Sequence, residues 1–216
     1  MPATTAAPHW VHIEQHHRGI AVVHDEFEEA EPKNLLRHAL VLHAGELGVN
    51  HHRPLATTLG SCIAVCLYEP YHHLIGMNHF MVPLSHHKDD QDGYFSGMAS
   101  MEQLVNAMMK AGAQKHRLVA KAFGGGDMFG LENQKGIGQA NIEFTQRWLK
   151  DDHIPLLASD FGGKWARQVV FDPINGDVHC RRISAQLAKI RELAKIEAQY
   201  GERVAQEHKK SKIDFF

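Results

Sequence analysis

Two apolar runs, residues 63–68 and 74–82, flank the turn-like string Glu69-Pro70-Tyr71-His72-His73. Runs this short, separated by turn residues, read as the two strands of a β-hairpin. A short buried helix starting at Cys62 is the other reading, because the periodicity of a continuous apolar run does not separate the two. The chain has 216 residues, 44% of them hydrophobic, enough for one domain with a real core.

Around this hairpin the pattern mixes strand pairs with helices. Strands are expected at 38–43, 118–123, 154–158, 168–171 and 178–183. The last two are joined by a turn at 172–177, whose Asn175-Gly176 pair is a hairpin signal. A loop is expected over 85–97, with Gly93 and Gly97. The next helix spans 100–111, with Met101, Leu104, Val105 and Met108 on one face and Gly112 as its stop. A helix over 136–150 would turn Ile142, Trp148 and Leu149 inward, and another is expected over 184–207. This order predicts an α+β fold: a single domain with a layered β-sheet or sandwich core, packed helices and a C-terminal helical extension. Residues 1–35, polar and carrying an acidic run at 25–31, read as a flexible N-terminal arm. The domain is expected over 36–185. Residues 186–216 form an addition whose apolar stripe packs on it.

Lys and Arg number 23 against 25 Asp and Glu, so no global basic field exists to hold nucleic acid or anionic lipid. The N-terminal residues lack a signal-peptide pattern, and no apolar stretch approaches a membrane span, so a cytoplasmic protein without membrane insertion is expected. Three cysteines argue against a disulfide framework. The 18 histidines include the pairs His16-His17, His51-His52, His72-His73 and His86-His87. These lie in polar stretches without metal-site spacing, and read as solvated loop residues.

Cys62 follows Leu59-Gly60-Ser61, where glycine allows a tight turn and free backbone N–H groups could hold an oxyanion. His79 follows 17 residues later. If Tyr68 stands opposite His73, Cys62 falls opposite His79, with Cβ atoms about 4.5–5.5 Å apart. A slip of one residue would send His79 to the other face. An imidazole beside a thiol can take its proton, stabilise the thiolate and later protonate a leaving amine. Thr57, Thr58 and Asn78 are candidates to orient the ring.

At this point the residues resemble the chemoreceptor glutamine deamidases, the CheD family. LGSCIAVCLYEP followed by IGMNHFMVP carries the resemblance. KAFGGGDMF, GIGQANIEFTQRWL and DFGGKWARQVVFDPINGDVHCRRI extend it over roughly residues 37–185. The resemblance implies an amidohydrolase that converts glutamine side chains of methyl-accepting chemotaxis receptors to glutamates and so tunes signalling. Cys62 stands at the position of the family's nucleophile and His79 at that of its catalytic histidine. The family's threonine falls at Thr57, with Thr58 as second choice. No metal or organic cofactor is implied, and hydrolysis of glutamyl methyl esters by the same pair stays possible. A chemotaxis phosphatase of the CheC type is the implied protein partner. Two other readings stay open: a non-catalytic interaction module of the chemotaxis array, and a histidine-rich metal-binding or redox protein using Cys62 and Cys66.

Overall fold

A computed structural model describes residues 11–13, 31–81, 91–127, 136–184, 195–197, 199–200 and 202–203. Two five-stranded sheets and two long helices stack in three layers. The first sheet runs β1 (Val11–Ile13), β10 (Val178–Ser184), β9 (Trp165–Phe171), β4 (Leu55–Leu59), β2 (Leu40–Val41). The second runs β3 (Leu47–Asn50), β6 (Leu74–Asn78), β5 (Ile63–Glu69), β7 (Val119–Gly124), β8 (Leu156–Phe161). Pairing is antiparallel except for β2 with β4 and β7 with β8. Helices α2 (Gln91–Lys110) and α3 (Ile137–Asp151) cover the outer face of the second sheet, while α1 (Glu31–His38) lies against β9. This is the α+β layering expected.

Strand β5 explains why its sequence shows no alternation: all seven residues are buried. Ile63, Val65 and Leu67 pack under the helices with Met101, Leu104, Met108, Phe144 and Trp148. Cys62, Ala64, Cys66 and Tyr68 point into the inter-sheet core with Leu55, Leu59, Val169, Phe171 and Val178. A strand covered on both faces reads as a continuous apolar run. Full burial of such side chains contributes about 1.5–3 kcal/mol each, so this central strand is costly to displace.

The helix faces follow the sequence: Met101, Leu104, Val105 and Met108 are buried, as are Ile142, Trp148 and Leu149. Gly112, at φ +105°, ends α2, with Ala113 N–H returning to the carbonyl of Met108. The turn at 172–177 joins β9 to β10 with Val178 opposite Phe171.

Other expectations are corrected. The loop expected over 85–97 is helical from Gln91, because α2 accommodates Gly93 and Gly97 within its first two turns. The strand expected at 38–43 shrinks to Leu40–Val41, since α1 continues through His38. Strands β3 and β4 were not anticipated. The arm expected at 1–35 is in part regular structure, since Val11–Ile13 adds an edge strand to β10 and α1 begins at Glu31. Of the helix expected over 184–207, Ser184 ends β10, while residues 195–197, 199–200 and 202–203 are helical. Leu187, Ile190, Leu193, Ala194 and Val204, which a helix there would bring to one face as its apolar stripe, lie outside the described residues. His51, His52, His72 and His73 are exposed, whereas His16, His17, His86 and His87 lie outside the described residues. Among the described residues, no helix is long and apolar enough to cross a membrane.

Candidate active site

The site forms where β4 leaves the first sheet and β5 enters the second, so the turn at Gly60-Ser61-Cys62 bridges the two layers. Its three carbonyls are all drawn to one side. Gly126 N–H donates to Gly60 O (2.8 Å), Asn141 Nδ2 to Ser61 O (2.8 Å) and Gly125 N–H to Cys62 O (2.9 Å). The glycine run can lie this close only without side chains: a Cβ on Gly124, whose φ is +121°, would run into the carbonyl of Cys62. With the carbonyls held, the N–H groups of Gly60 and Ser61 point toward position 197. There they donate to the two carboxylate oxygens of Glu197 at 2.7 and 2.9 Å, and Ser61 Oγ adds a third bond at 3.0 Å.

His79 enters from the end of β6, its N–H bonded to Glu46 O and its carbonyl accepting from Gly45 N–H. Its Nδ1 lies 2.8 Å from Thr57 Oγ1. The Thr57 hydroxyl has one proton, and gives it to Leu42 O at 2.7 Å. Thr57 therefore accepts from His79, and Nδ1 carries a hydrogen. The other nitrogen, Nε2, is buried without a hydrogen-bond partner, 3.9 Å from Glu197 Oε1. In the neutral ring this is the nitrogen with the free lone pair.

Cys62 completes the group. Its Sγ, a ring nitrogen of His79 and a carboxylate oxygen of Glu197 all lie within 4.8 Å of one another. Burial pushes the Cys62 thiol well up, and the charge and hydrogen bonding of Glu197 push it further, so the thiol is protonated while Glu197 is in place. Burial alone would also raise the Glu197 carboxyl. His79 in its protonated form and the N–H groups of Gly60 and Ser61 outweigh it, and the carboxylate is held ionised.

A family model described as CheD chemotactic sensory transduction matches residues 81–182. A protein of Dechloromonas aromatica named probable chemoreceptor glutamine deamidase CheD 2 is 42% identical over 196 residues, which make up 88% of this chain and 100% of that protein. The chain belongs to the CheD family. A CheD 2 protein of Shewanella oneidensis, under the same name, is 38% identical over 68% of this chain and 77% of its own length. A CheD protein of Bordetella avium is 35% identical over 81% and 79%. Among solved structures, Bacillus licheniformis hypothetical protein YfiH has a TM-score of 0.36 at 11% identity, covering 64% of this chain and 61% of that one.

The structure of this CheD chain brings Thr57, Cys62 and His79 together, by a register different from the one supposed. Observed partners are Cys66 with Met77, Tyr68 with Ile75 and Glu69 with Leu74, and Ile63 bridges to Phe80. Cys62 therefore stands diagonal to His79, two positions from the direct pairing. The loop begins one residue later than supposed because Glu69 takes the N–H and Nδ1 of His72, and His73 adopts φ +50°. A two-residue shift preserves the face, and diagonal neighbours remain within reach of long side chains.

The other candidates separate. Thr58, on the opposite face of β4 from Thr57, is half-buried. Asn78 faces the helices: it accepts from Val65 N–H and donates to Ser100, so it does not orient His79. Cys66 lies four residues along β5 from Cys62, about 13 Å at strand rise, and is outside the donor group that Cys62 forms. Among the described residues, those that could hold a metal are instead Cys62, His79 and Glu197. A thiophilic cation there would compete with three N–H and O–H donors for the carboxylate. Sequence reasoning missed Asn141 and Glu197. Nothing local marks either, since both meet the turn only through tertiary packing.

Proposed function

We propose that this chain is a cytoplasmic protein-glutamine glutaminase that deamidates glutamines of methyl-accepting chemotaxis receptors, with Cys62 as nucleophile, His79 as base and acid, and Thr57 as the residue that positions the ring. The relatives' names support the substrate. The observation that carries the chemistry is the buried, partnerless Nε2 of His79 beside Cys62, fixed as the proton-accepting nitrogen by Thr57.

In this reading His79 Nε2 takes the thiol proton and Cys62 Sγ bonds to the carboxamide carbon. The oxyanion settles on the N–H of Ser61, with the N–H of Gly60 beside it. The C–N bond then breaks as the imidazolium protonates the departing ammonia. Water, deprotonated by the same nitrogen, attacks the thioester; the C–S bond breaks, releasing glutamate and restoring the thiol. Conversion of amide to acid adds negative charge to the receptor helix, which is how the reaction would tune signalling. A glutamyl methyl ester fits the same steps with methanol as leaving group. A phosphatase of the CheC type is the regulatory partner this reading expects.

The test incubates a glutamine-bearing cytoplasmic receptor fragment with the purified chain and follows ammonia release together with the glutamine-to-glutamate mass change. Conversion at discrete glutamines is expected. Tight receptor binding with no glutamine altered would favour the interaction-module reading instead.

A further inference from the structure

We propose that Glu197 holds the C-terminal helix in the active site as a tethered stand-in for the reaction product, so that receptor glutamines gain access only when this helix is displaced. The inference rests on the deamidase reading given above and adds an occupant and a gate to that site.

The contacts of Glu197 are those a product glutamate would make. One oxygen, Oε2, accepts from Ser61 N–H and Oγ, where the oxyanion of an acyl-transfer intermediate would sit. The other, Oε1, accepts from Gly60 N–H and faces His79 Nε2 at 3.9 Å, the side from which ammonia leaves and water arrives. The residue type fits as well, since glutamate is what glutamine becomes after its C–N bond is replaced by C–O.

The helix is seated by one face. Tyr200, three residues after Glu197, packs against the inter-sheet core and over Gly45, whose N–H holds the His79 carbonyl. Lys195, Ile196 and Gln199 are exposed, with Ile196 at 46%. Residues at i and i+3 share a helix face, so the anchoring side chains and the exposed ones divide as a docked helix requires. With the helix in place Thr57, Ser61, Cys62, His79 and Glu197 are all buried, and no receptor side chain can reach the sulfur. The protonated state of Cys62 opposite this carboxylate agrees with a closed, resting site. A glutamate serving the reaction itself would not need to cover both backbone donors. The pose also states how substrate is presented: a glutamine carried on a helix laid across the turn.

The test compares the full-length chain with Glu197→Ala, Glu197→Gln and Tyr200→Ala. Iodoacetamide labelling of Cys62, mapped by peptide mass, reads access independently of any deamidase activity. Labelling is expected to rise at least about tenfold in Glu197→Ala and to rise in Tyr200→Ala, as a bound occupant is lost. Receptor-fragment conversion is expected to rise in step. Position 197 of the Glu197→Gln chain is expected to return to glutamate by an intramolecular turnover, and to remain glutamine when Cys62→Ala is added. Unchanged labelling in both Glu197→Ala and Tyr200→Ala would overturn the inference. So would loss of receptor conversion in Glu197→Ala with the fold retained, which would make Glu197 part of the catalytic machinery. A stoichiometric metal lost on replacing Glu197 would overturn it in favour of a metal site. Faster labelling without conversion of any glutamine would uphold the docked helix and sink the deamidase reading.

Discussion

Thr57 Oγ1 lies 2.8 Å from Nδ1 of His79 while giving its own proton to the Leu42 carbonyl. This relationship makes Nδ1 a donor and leaves Nε2 as the nitrogen with the free lone pair in the neutral ring. Thr57→Val removes the acceptor and leaves Leu42 O without its bond. General base catalysis contributes about 10²–10⁴-fold, so a misoriented ring is predicted to cost roughly ten- to a hundredfold in receptor deamidation. Thr57→Ser should retain most activity, and Thr58→Val should leave it near wild type. Comparable losses at both threonines would contradict the assignment.

Asn141 holds the turn from a helix 80 positions away, donating to Ser61 O. Asn141→Ala leaves a buried carbonyl short of this donor, and the predicted loss is about 1–3 kcal/mol of stability in urea unfolding. Deamidation should fall as well, because the Ser61 N–H loses its fixed direction. A variant as stable as wild type would show that the turn holds itself.

Gly124 combines φ +121° with contact against the Cys62 carbonyl. Gly124→Ala is predicted to destabilise the chain by more than about 1 kcal/mol, since both backbone strain and a clash oppose it. Thermal unfolding checks this; an unchanged midpoint would mean that β5 and β7 separate easily here.

The outline was legible because several elements carry their burial in their spacing. Met101, Leu104, Val105 and Met108 mark α2, and the runs around EPYHH mark β5 and β6. Strand β4 was not legible: Leu55-Ala56-Thr57-Thr58-Leu59 is short, and its threonines suit a surface as well as a core. Cys62 and His79 could be paired from sequence because a register error of two leaves the face unchanged. Glu197 could not be found, since a glutamate on a helix is ordinarily solvated and only the docking of that helix buries it.

Among the described residues, the titratable groups facing Glu197 are Cys62 and His79, and the shifts of Glu197 and Cys62 give a pH dependence with opposite signs at its two ends. The lowered carboxyl pKa of Glu197 means helix docking gains stability above the free carboxyl value of about 4.3, and loses it as pH falls through the lowered value. The raised thiol pKa of Cys62 contributes stability below its ordinary value of 9.0, lost as pH rises through the raised one. The predicted alkylation profile of Cys62 therefore inflects above 9.0 in the wild-type chain and at lower pH in Glu197→Ala. A dipyridyl disulfide, which reports on thiols in acid, should find Cys62 more accessible as Glu197 protonates. Superimposable alkylation profiles for the two chains would contradict the coupling.

The central claim is that a receptor glutamine passes through a thioester on Cys62. Intact mass of acid-quenched chain during turnover of a receptor fragment tests it most directly. The account predicts a transient adduct equal to the fragment less ammonia, mapped to Cys62, with neither adduct nor glutamate formed by Cys62→Ala. Glutamine conversion by Cys62→Ala at the wild-type rate would contradict it.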